Sequence, residues 1–220
     1  MVENKDLRLI DKIPKTDKKE GVIVIGRGPS VDRLDLEQLN KQEKYDICAV
    51  SDAIKITQHP KFAFNYHFQT IRRTVEYLYR AEYLIVTNNV LDKLKQHHRV
   101  SNIKVLESLL NVYYFNSRNT KNMDVFTEGL FDIEVTNKLF SRHGSIGGVM
   151  HFLLGYMNYR KIYYIGFDGG REYGKLVHSN RKETKVKGAE RDYALSWETV
   201  MEMVKHYDME VFGPLKEFLM

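Results

Sequence analysis

The sequence predicts an α/β protein whose core is a mostly parallel, doubly wound sheet, and three observations support this fold class. Short apolar runs rich in β-branched residues, such as Val22–Ile25, are typical of strands that are buried on both faces. These runs alternate along the chain with segments of helical periodicity, which is the order that parallel sheets require. Small or polar residues follow several of the runs, as they do at Gly26–Ser30.

The same periodicities place each element in turn. We predict strands at residues 21–26, 46–51, 62–66, 83–87, 103–106, 161–167 and 209–212. Helical patterns cover residues 32–39, 70–80, 90–96, 130–140, 145–156 and 191–207. Residues 107–128 mix aromatic with polar side chains, which predicts a long irregular connection and a candidate lid. We expect residues 1–20 to form a flexible arm and residues 21–220 a single domain.

Composition narrows the function classes. The chain has 220 residues, a formal net charge of +5 and one cysteine, Cys48, which we expect to fill space in the core. No apolar stretch approaches the ~20 residues of a membrane span, and no signal peptide is recognisable, so we expect a cytoplasmic protein. The positive charge is scattered, which favours an anionic small molecule over nucleic acid as the partner. It also suits peripheral association with an anionic membrane surface, and a homo-oligomer stays an open alternative.

The turn after the first strand is the first candidate site. It consists of Gly26, Arg27, Gly28, Pro29 and Ser30. Its glycines let the backbone approach a ligand closely, and bare N–H groups at the start of a following helix attract anions. We therefore predict a phosphate-bearing ligand, with a tight turn that binds nothing as the alternative. The spacing is neither G-x-G-x-x-G nor a Walker loop.

Two further strand ends carry polar residues, namely Ser51-Asp52 and Asp168. Because the carboxyl ends of parallel strands lie at one edge of the sheet, we expect these residues to converge with the turn at Gly26–Ser30. Asp168 precedes two glycines and is equally compatible with a turn-forming role.

A second anion-binding candidate is the helix start at Ser145, where Gly147 allows close approach and Arg142 and His143 precede the helix. His178 lies in a polar loop beyond Asp168 and titrates near neutrality, as a general base must, although a lone loop histidine is more often a bystander. No zinc-ligand spacing and no Gly-x-Ser-x-Gly elbow occurs, so we predict neither a protein-built metal site nor a serine hydrolase.

Two blocks taken together carry a family resemblance. They are GRGPSVDRLDLEQL at residues 26–39 and SIGGVMHFLLGYMNYRKIYYIGFD at residues 145–168. The pairing resembles the bacterial sialyltransferases that use CMP-sialic acid. It also resembles a broader group around the archaeal 6-hydroxymethyldihydropterin pyrophosphokinase, the DUF115 group. Both groups have a Rossmann-like sheet and handle nucleotides, so the resemblance implies the same for this chain.

The resemblance implies a role for most of the residues singled out above. Arg27 replaces the family asparagine of the nucleotide-binding turn, and Ser51 stands where the family has a second nucleotide-contacting asparagine. His178 resembles the catalytic histidine, which acts as a general base on the acceptor hydroxyl. Tyr173 is the nearest candidate for a tyrosine that supports the leaving phosphate. The implied nucleotide-binding set is Gly26, Arg27, Gly28, Pro29, Ser30, Ser51, Asp52, Arg142, His143, Ser145, Gly147 and Asp168.

The implied activity is that of a glycosyltransferase, which moves a sugar from a CMP-type nucleotide donor to a glycan acceptor by direct displacement. Such a reaction requires no cofactor, and it would serve the synthesis of a surface polysaccharide or lipopolysaccharide at the inner face of the membrane. One alternative is a pterin pyrophosphokinase-like transfer of diphosphate from ATP, which needs Mg²⁺ held by Asp168 and Asp52. The other alternative is a non-catalytic nucleotide or nucleic-acid binder.

Overall fold

The computed structural model describes residues 8–15, 17–118, 138–140, 145–168, 173–177, 189–208, 210–213 and 218–219. Its strands are β1 (Gly21–Ile25), β2 (Tyr45–Val50), β3 (Phe62–Asn65), β4 (Tyr83–Thr87), β5 (Val112–Arg118), β6 (Lys138–Phe140), β7 (Lys161–Ile165) and β8 (Glu210–Phe212). They form one sheet in the order β6-β5-β4-β3-β2-β1-β7-β8, and neighbouring strands pair in parallel. The predicted doubly wound parallel sheet is confirmed.

Helices cover both faces of this sheet. They are α1 (Leu36–Lys41), α2 (Phe68–Thr74), α3 (Val90–Gln96), α4 (Val100–Ser108), α5 (Ser145–Met150) and α6 (Ala189–Tyr207), and a π-helical turn, His151–Tyr156, follows α5. Apolar residues of α1 to α4 pack on one face, whereas those of α5 and α6 pack on the other. Strands β1, β2 and β3 are therefore buried along their whole length, which explains their continuous apolar runs.

The winding of the chain changes direction beside β1. From β1 the chain builds outward through β2, β3, β4, β5 and β6, and it then returns to place β7 on the other side of β1. The topological switch point therefore lies between β1 and β7. In open parallel sheets, ligands bind beyond the carboxyl ends of the strands at such a point.

The predicted flexible arm is wrong for the part of residues 1–20 that the structure describes. Ile10 and Ile13 are completely or almost completely buried in the core. The hydroxyl of Tyr156 lies 2.7 and 2.8 Å from the carbonyl oxygens of Asp11 and Ile13, which share its single proton. Because the two isoleucines are three residues apart on a short 3₁₀ turn, both reach the same apolar face, which a polar composition had concealed.

Two other predictions are also corrected. Residues 103–106 belong to helix α4, because Ile103 and Leu106 are spaced for one helical face and are buried together. Residues 107–118 of the predicted lid are the end of α4 and strand β5, in which Phe115 is fully buried. Aromatic residues favour strands, so this run pairs with β4 inside the sheet, whereas residues 119–128 lie outside the described residues.

The predicted helix at residues 130–140 is contradicted at its end, since residues 138–140 form β6 and pair with β5. Pairing with a neighbouring strand overrides the local helical pattern there. In the described part of the chain, no helix is both long enough and apolar enough to cross a membrane.

Candidate functional site

The turn after β1 and the residues after β7 are locked together at the switch point. The N–H groups of Gly26 and Gly28 donate to the carbonyl oxygens of Ile165 and Gly166, both at 2.8 Å. The hydroxyl of Ser30 accepts the N–H of Gly166 at 2.9 Å. These contacts join segments that are far apart in the sequence, and they hold the two strand ends as one unit.

Asp168 takes part in the same contact. Its Oδ2 accepts the N–H of Ser30 at 3.0 Å, while the residue stays exposed at the surface. A Cβ on Gly28 would lie 2.2 Å from that Oδ2, and a Cβ on Gly26 would lie 2.3 Å from the carbonyl oxygen of Gly166. The glycines are therefore required by the approach of the neighbouring loop.

This arrangement changes the interpretation of the turn. We predicted that its N–H groups would be available to a phosphate, but those of Gly26, Gly28 and Ser30 are bonded within the chain. Pro29 has no N–H to offer. The contribution of this turn to an anion site therefore falls to Arg27.

Arg27 is held in place by an aromatic ring. The guanidinium carbon lies 4.7 Å from the ring centroid of Tyr173, which is buried. The backbone is held as well, because the carbonyl oxygen of Arg27 accepts the N–H of Gly174 at 2.9 Å. A cation stacked on an aromatic face is fixed in position and keeps its charge, as a contact to an anionic ligand requires. The structure thus brings together two of the predicted site residues.

Asp52 is already paired with cations of its own chain. Its side chain is fully buried and accepts two hydrogen bonds from Arg73, from Nε to Oδ1 at 3.1 Å and from Nη2 to Oδ2 at 2.8 Å. Lys55 lies 3.6 Å from Oδ1. The predicted role of Asp52 in binding a nucleotide or Mg²⁺ is contradicted, because its carboxylate is already enclosed by two cations of its own chain.

Ser51, next to it, is buried at the end of β2 and has a φ angle of 59°. A left-handed backbone costs a residue other than glycine about 1–3 kcal/mol, and such strain is concentrated at functional sites. Ser51 therefore stays a candidate contact at the rim.

Asn65 is a rim residue that the sequence analysis missed. It ends β3, it is completely buried, and neither its Nδ2 nor its Oδ1 has a hydrogen-bond partner among the described residues. A buried polar group without partners costs roughly 1–3 kcal/mol. The only signal in the sequence was that one polar residue ends the apolar run Phe62–Phe64. Asn65 was interpreted as part of the predicted strand and was therefore not considered as a site residue.

Cations gather around the next residues of this rim. His67 is exposed at the surface. Neighbouring atoms nevertheless remove part of the water around its ring, and this desolvation is the main cause that lowers the pKa of His67. The charges of Arg27, Lys93 and Arg73 lower this pKa further. These cations come from three different parts of the chain, and their charges favour an anion over a cation beside His67.

The remaining predicted residues are not all described. Gly147 lies in α5, whose residues Ile146–Met150 are buried on the face opposite α2. Ser145 begins α5, and the structure describes only its backbone position. Arg142, His143 and His178 lie outside the described residues, so their roles stay predictions. In the described part of the chain, no cluster of three or more His, Cys, Asp or Glu residues could hold a metal ion.

Two cavities lined by described residues lie away from this rim. One, of about 540 Å³, is beside α1, and the other, of about 360 Å³, is at the amino ends of β2 and β3. Since parallel sheets bind ligands beyond their carboxyl ends, we assign the candidate site to the rim formed by Arg27, Ser51, Asn65, His67 and Asp168. We call it the carboxyl rim.

Comparison with solved structures matches this chain to glycosyltransferases. The MAf glycosyltransferase from Magnetospirillum magneticum AMB-1 has a TM-score of 0.51 and 15% identity, covering 96% of this chain and 35% of that one. The sialyltransferase CstII from Campylobacter jejuni, in complex with a substrate analogue, cytidine-5'-monophosphate, has a TM-score of 0.43 and 14% identity, covering 92% of this chain and 84% of that one. No protein-family model matches the sequence, and no curated protein matches it. At such identities, the likeness to the MAf enzyme establishes a shared fold.

Proposed function

We propose that this protein is a glycosyltransferase that binds a CMP-type nucleotide sugar at the carboxyl rim and transfers the sugar to a glycan acceptor. The proposal agrees with the fold, which the MAf glycosyltransferase shares. It also agrees with the family resemblance of the two sequence blocks at residues 26–39 and 145–168. The acceptor would be a surface polysaccharide or lipopolysaccharide, made at the inner face of the membrane.

The observation that carries the proposal is the unpartnered amide of Asn65. A folded chain tolerates a buried amide without partners at a real cost in stability, and a bound ligand would remove that cost. The amide both donates and accepts hydrogen bonds, which suits the hydroxyl and carbonyl groups of a nucleotide sugar. It therefore has the chemistry of a donor contact.

The spacing of the rim suits a ligand of this size. Asn65 ends β3, which lies two strands away from β1, and neighbouring strands are ~4.8 Å apart. The amide is thus about 10 Å across the sheet from the turn that carries Arg27. A nucleotide sugar can place its phosphate at Arg27 and another part of the molecule over Asn65. Tyr173 acts by holding the guanidinium that binds the phosphate.

The proposed reaction is a direct displacement. His178 would take the proton of the acceptor hydroxyl, whose oxygen then forms a bond to the anomeric carbon of the sugar. The bond from that carbon to the phosphate oxygen breaks, and CMP leaves with the electron pair. Arg27 would stabilise the charge that develops on the leaving phosphate.

No observation favours the Mg²⁺-dependent diphosphate transfer. That reaction was assigned Asp52 as a metal ligand, and this carboxylate is bonded to Arg73 with no surface exposed. Asp168 alone is exposed, and a single carboxylate that also caps Ser30 is a poor site for Mg²⁺.

Thermal-shift measurements with CMP, CDP, UDP and ATP, each with and without Mg²⁺, test the proposal. We expect CMP to stabilise the protein without metal, by about 2.7 kcal/mol at a hundredfold excess over Kd. Stabilisation by ATP only in the presence of Mg²⁺ would favour the diphosphotransferase. If no nucleotide stabilises the protein and an oligonucleotide binds tightly, the nucleic-acid alternative replaces the enzyme.

A further inference from the structure

One short segment of the chain, Tyr173–Val177, is docked on the residues that follow β1. The ring at its start lies against the guanidinium of Arg27, and the N–H of Gly174 donates to the carbonyl oxygen of Arg27 at 2.9 Å. At the other end, Val177 is buried in the apolar cluster on the α1 to α4 face of the sheet. Both ends of the segment are thus fixed, while Lys175 in its middle is exposed.

Asp32 holds the exposed middle of this segment. It lies on a 3₁₀ turn, Pro29–Arg33, at the end of the glycine-containing turn. Its Oδ2 accepts the N–H of Lys175 at 2.9 Å, and its Oδ1 accepts the N–H of Leu176 at 3.0 Å. Each carboxylate oxygen therefore accepts one of two successive backbone N–H groups, and the charge of the acceptor strengthens both bonds.

The segment and the 3₁₀ turn fit closely together. A Cβ on Gly174 would lie 2.2 Å from Cγ2 of Val31 and 3.0 Å from the carbonyl oxygen of Gly28. Val31 has no exposed surface, so its side chain has little room to move aside. Glycine at position 174 is therefore required for the segment to come within hydrogen-bonding distance of Asp32.

A second contact reaches the segment from the residues that follow β2. Lys55 ends the 3₁₀ turn Ser51–Lys55, and its Nζ donates to the carbonyl oxygen of Val177 at 3.4 Å. The same Nζ lies 3.6 Å from Oδ1 of the buried Asp52, which draws the ammonium towards this position. At 3.4 Å the bond is longer than an ordinary N–H···O hydrogen bond, so we expect Asp32 to contribute more to the docking.

We propose that Asp32 is a positioning residue for the phosphate contact of Arg27. It acts through the backbone of Lys175 and Leu176, which it keeps docked beside the 3₁₀ turn. The docked segment in turn keeps the Tyr173 ring against the guanidinium of Arg27, which holds the cation in one orientation. The inference rests on the proposed function, because it concerns the phosphate of the same donor.

The sign of the change in affinity distinguishes positioning from simple electrostatics. A carboxylate near the site repels a phosphate, so deleting the charge of Asp32 would tighten binding if repulsion were its main effect. If Asp32 acts by positioning, the same deletion weakens binding, because Arg27 is no longer held by the docked segment.

Amide hydrogen exchange in the full chain tests the docking. Asp32→Ala should speed the exchange of the N–H groups of Lys175 and Leu176 by about tenfold, because each loses its acceptor. The matched control is Asp35→Ala, since Oδ1 of Asp35 also accepts a backbone N–H, that of Gln38, at 3.0 Å. This control should speed exchange at Gln38 and leave the segment unchanged. Unchanged exchange at Lys175 and Leu176 in Asp32→Ala overturns the inference, whatever the protein binds.

Titration with CMP and with inorganic pyrophosphate tests the positioning role. Asp32→Ala should weaken the binding of both by about fivefold, and Arg27→Ala should weaken it further. The double variant should bind no more weakly than Arg27→Ala alone, because Asp32 then has no cation left to position. Gly174→Ala should reproduce the loss by a steric route, whereas Asp35→Ala should bind like the native protein.

The outcomes separate this inference from the proposed function. Unchanged or tighter binding in Asp32→Ala, or losses that add in the double variant, overturns the inference, and CMP binding by the native protein then keeps the proposed donor. Pyrophosphate binding with non-additive losses, but no CMP binding, keeps the positioning role and overturns the CMP donor. A native protein that binds neither probe overturns both.

Discussion

Replacing Asn65 by leucine separates the stability of the carboxyl rim from its function. Leucine has the same number of side-chain heavy atoms in the same branched arrangement and no polar atoms, so it removes the two unpartnered groups. The substitution should therefore stabilise the free protein, although most buried substitutions destabilise. The same change removes the amide that we assign to the donor, so it should weaken CMP binding.

The magnitude follows from the burial. Asn65 has no exposed surface, so the whole desolvation cost of its amide, about 1–3 kcal/mol, is available to be recovered. For a chain of this length, 1 kcal/mol shifts the Tm by about 2–4 °C, so 1–3 kcal/mol predicts a rise of roughly 2–12 °C. The loss of one or two hydrogen bonds to the ligand should weaken CMP binding by about tenfold or more.

The assay compares Asn65→Leu with Tyr66→Phe by thermal unfolding and by CMP titration. The hydroxyl of Tyr66 is also buried and unpartnered within the described residues, but the ring packs with Phe64 and Phe115 on the other face of the sheet. Both variants should raise the Tm, and only Asn65→Leu should lose CMP affinity. A lower Tm for Asn65→Leu, or equal CMP binding in the two variants, would refute the reasoning.

Three further predictions concern catalysis and packing. His178→Ala should lower turnover by ~10²–10⁴-fold with CMP binding kept, measured by sugar transfer and calorimetry, and unchanged turnover would remove it as the general base. Asp52→Ala should destabilise by roughly 3 kcal/mol in urea unfolding, because Arg73 loses its buried partner. The double variant with Arg73→Met should cost less than the sum of the single changes, and simple additivity would contradict the coupling. Gly26→Ala should destabilise the protein more than Gly28→Ala. A Cβ at Gly26 would lie 2.3 Å from a backbone oxygen, whereas a Cβ at Gly28 would meet a side-chain carboxylate that can rotate away. Equal losses of Tm in the two variants would argue against this packing.

Much of the fold could be predicted because its signals are local. The buried strand at residues 83–87 and the helix at residues 90–96 have the predicted bounds, since apolar runs and helical spacing depend on neighbouring residues alone. Errors arose where long-range pairing decided the outcome. The segment at residues 112–118 looked irregular, yet it is a strand because β4 and β6 lie beside it.

The sequence predicted where the candidate site lies more accurately than it predicted what each residue of the site binds. The turn at Gly26–Ser30 was recognised by its glycines, but a glycine pattern does not say what approaches it. In the structure, the neighbouring loop at Gly166–Asp168 approaches it and takes its N–H groups. Asp52 was predicted to contact a ligand because it follows a strand. A polar residue at a strand end has the same sequence pattern whether its partner is a ligand or, as in this structure, Arg73.

The sequence by itself determined the parallel sheet and the gathering of polar strand ends at one edge, because side-chain periodicity and strand direction are properties of short segments. Only the tertiary structure decided which of those polar groups are available. The partners of Ser30 lie 136 and 138 residues further along the chain, whereas Asn65 is buried with no partner among the described residues. Hydrogen bonds are satisfied by whatever the fold brings within about 3 Å, so the groups that remain for a ligand are known only after the chain has folded.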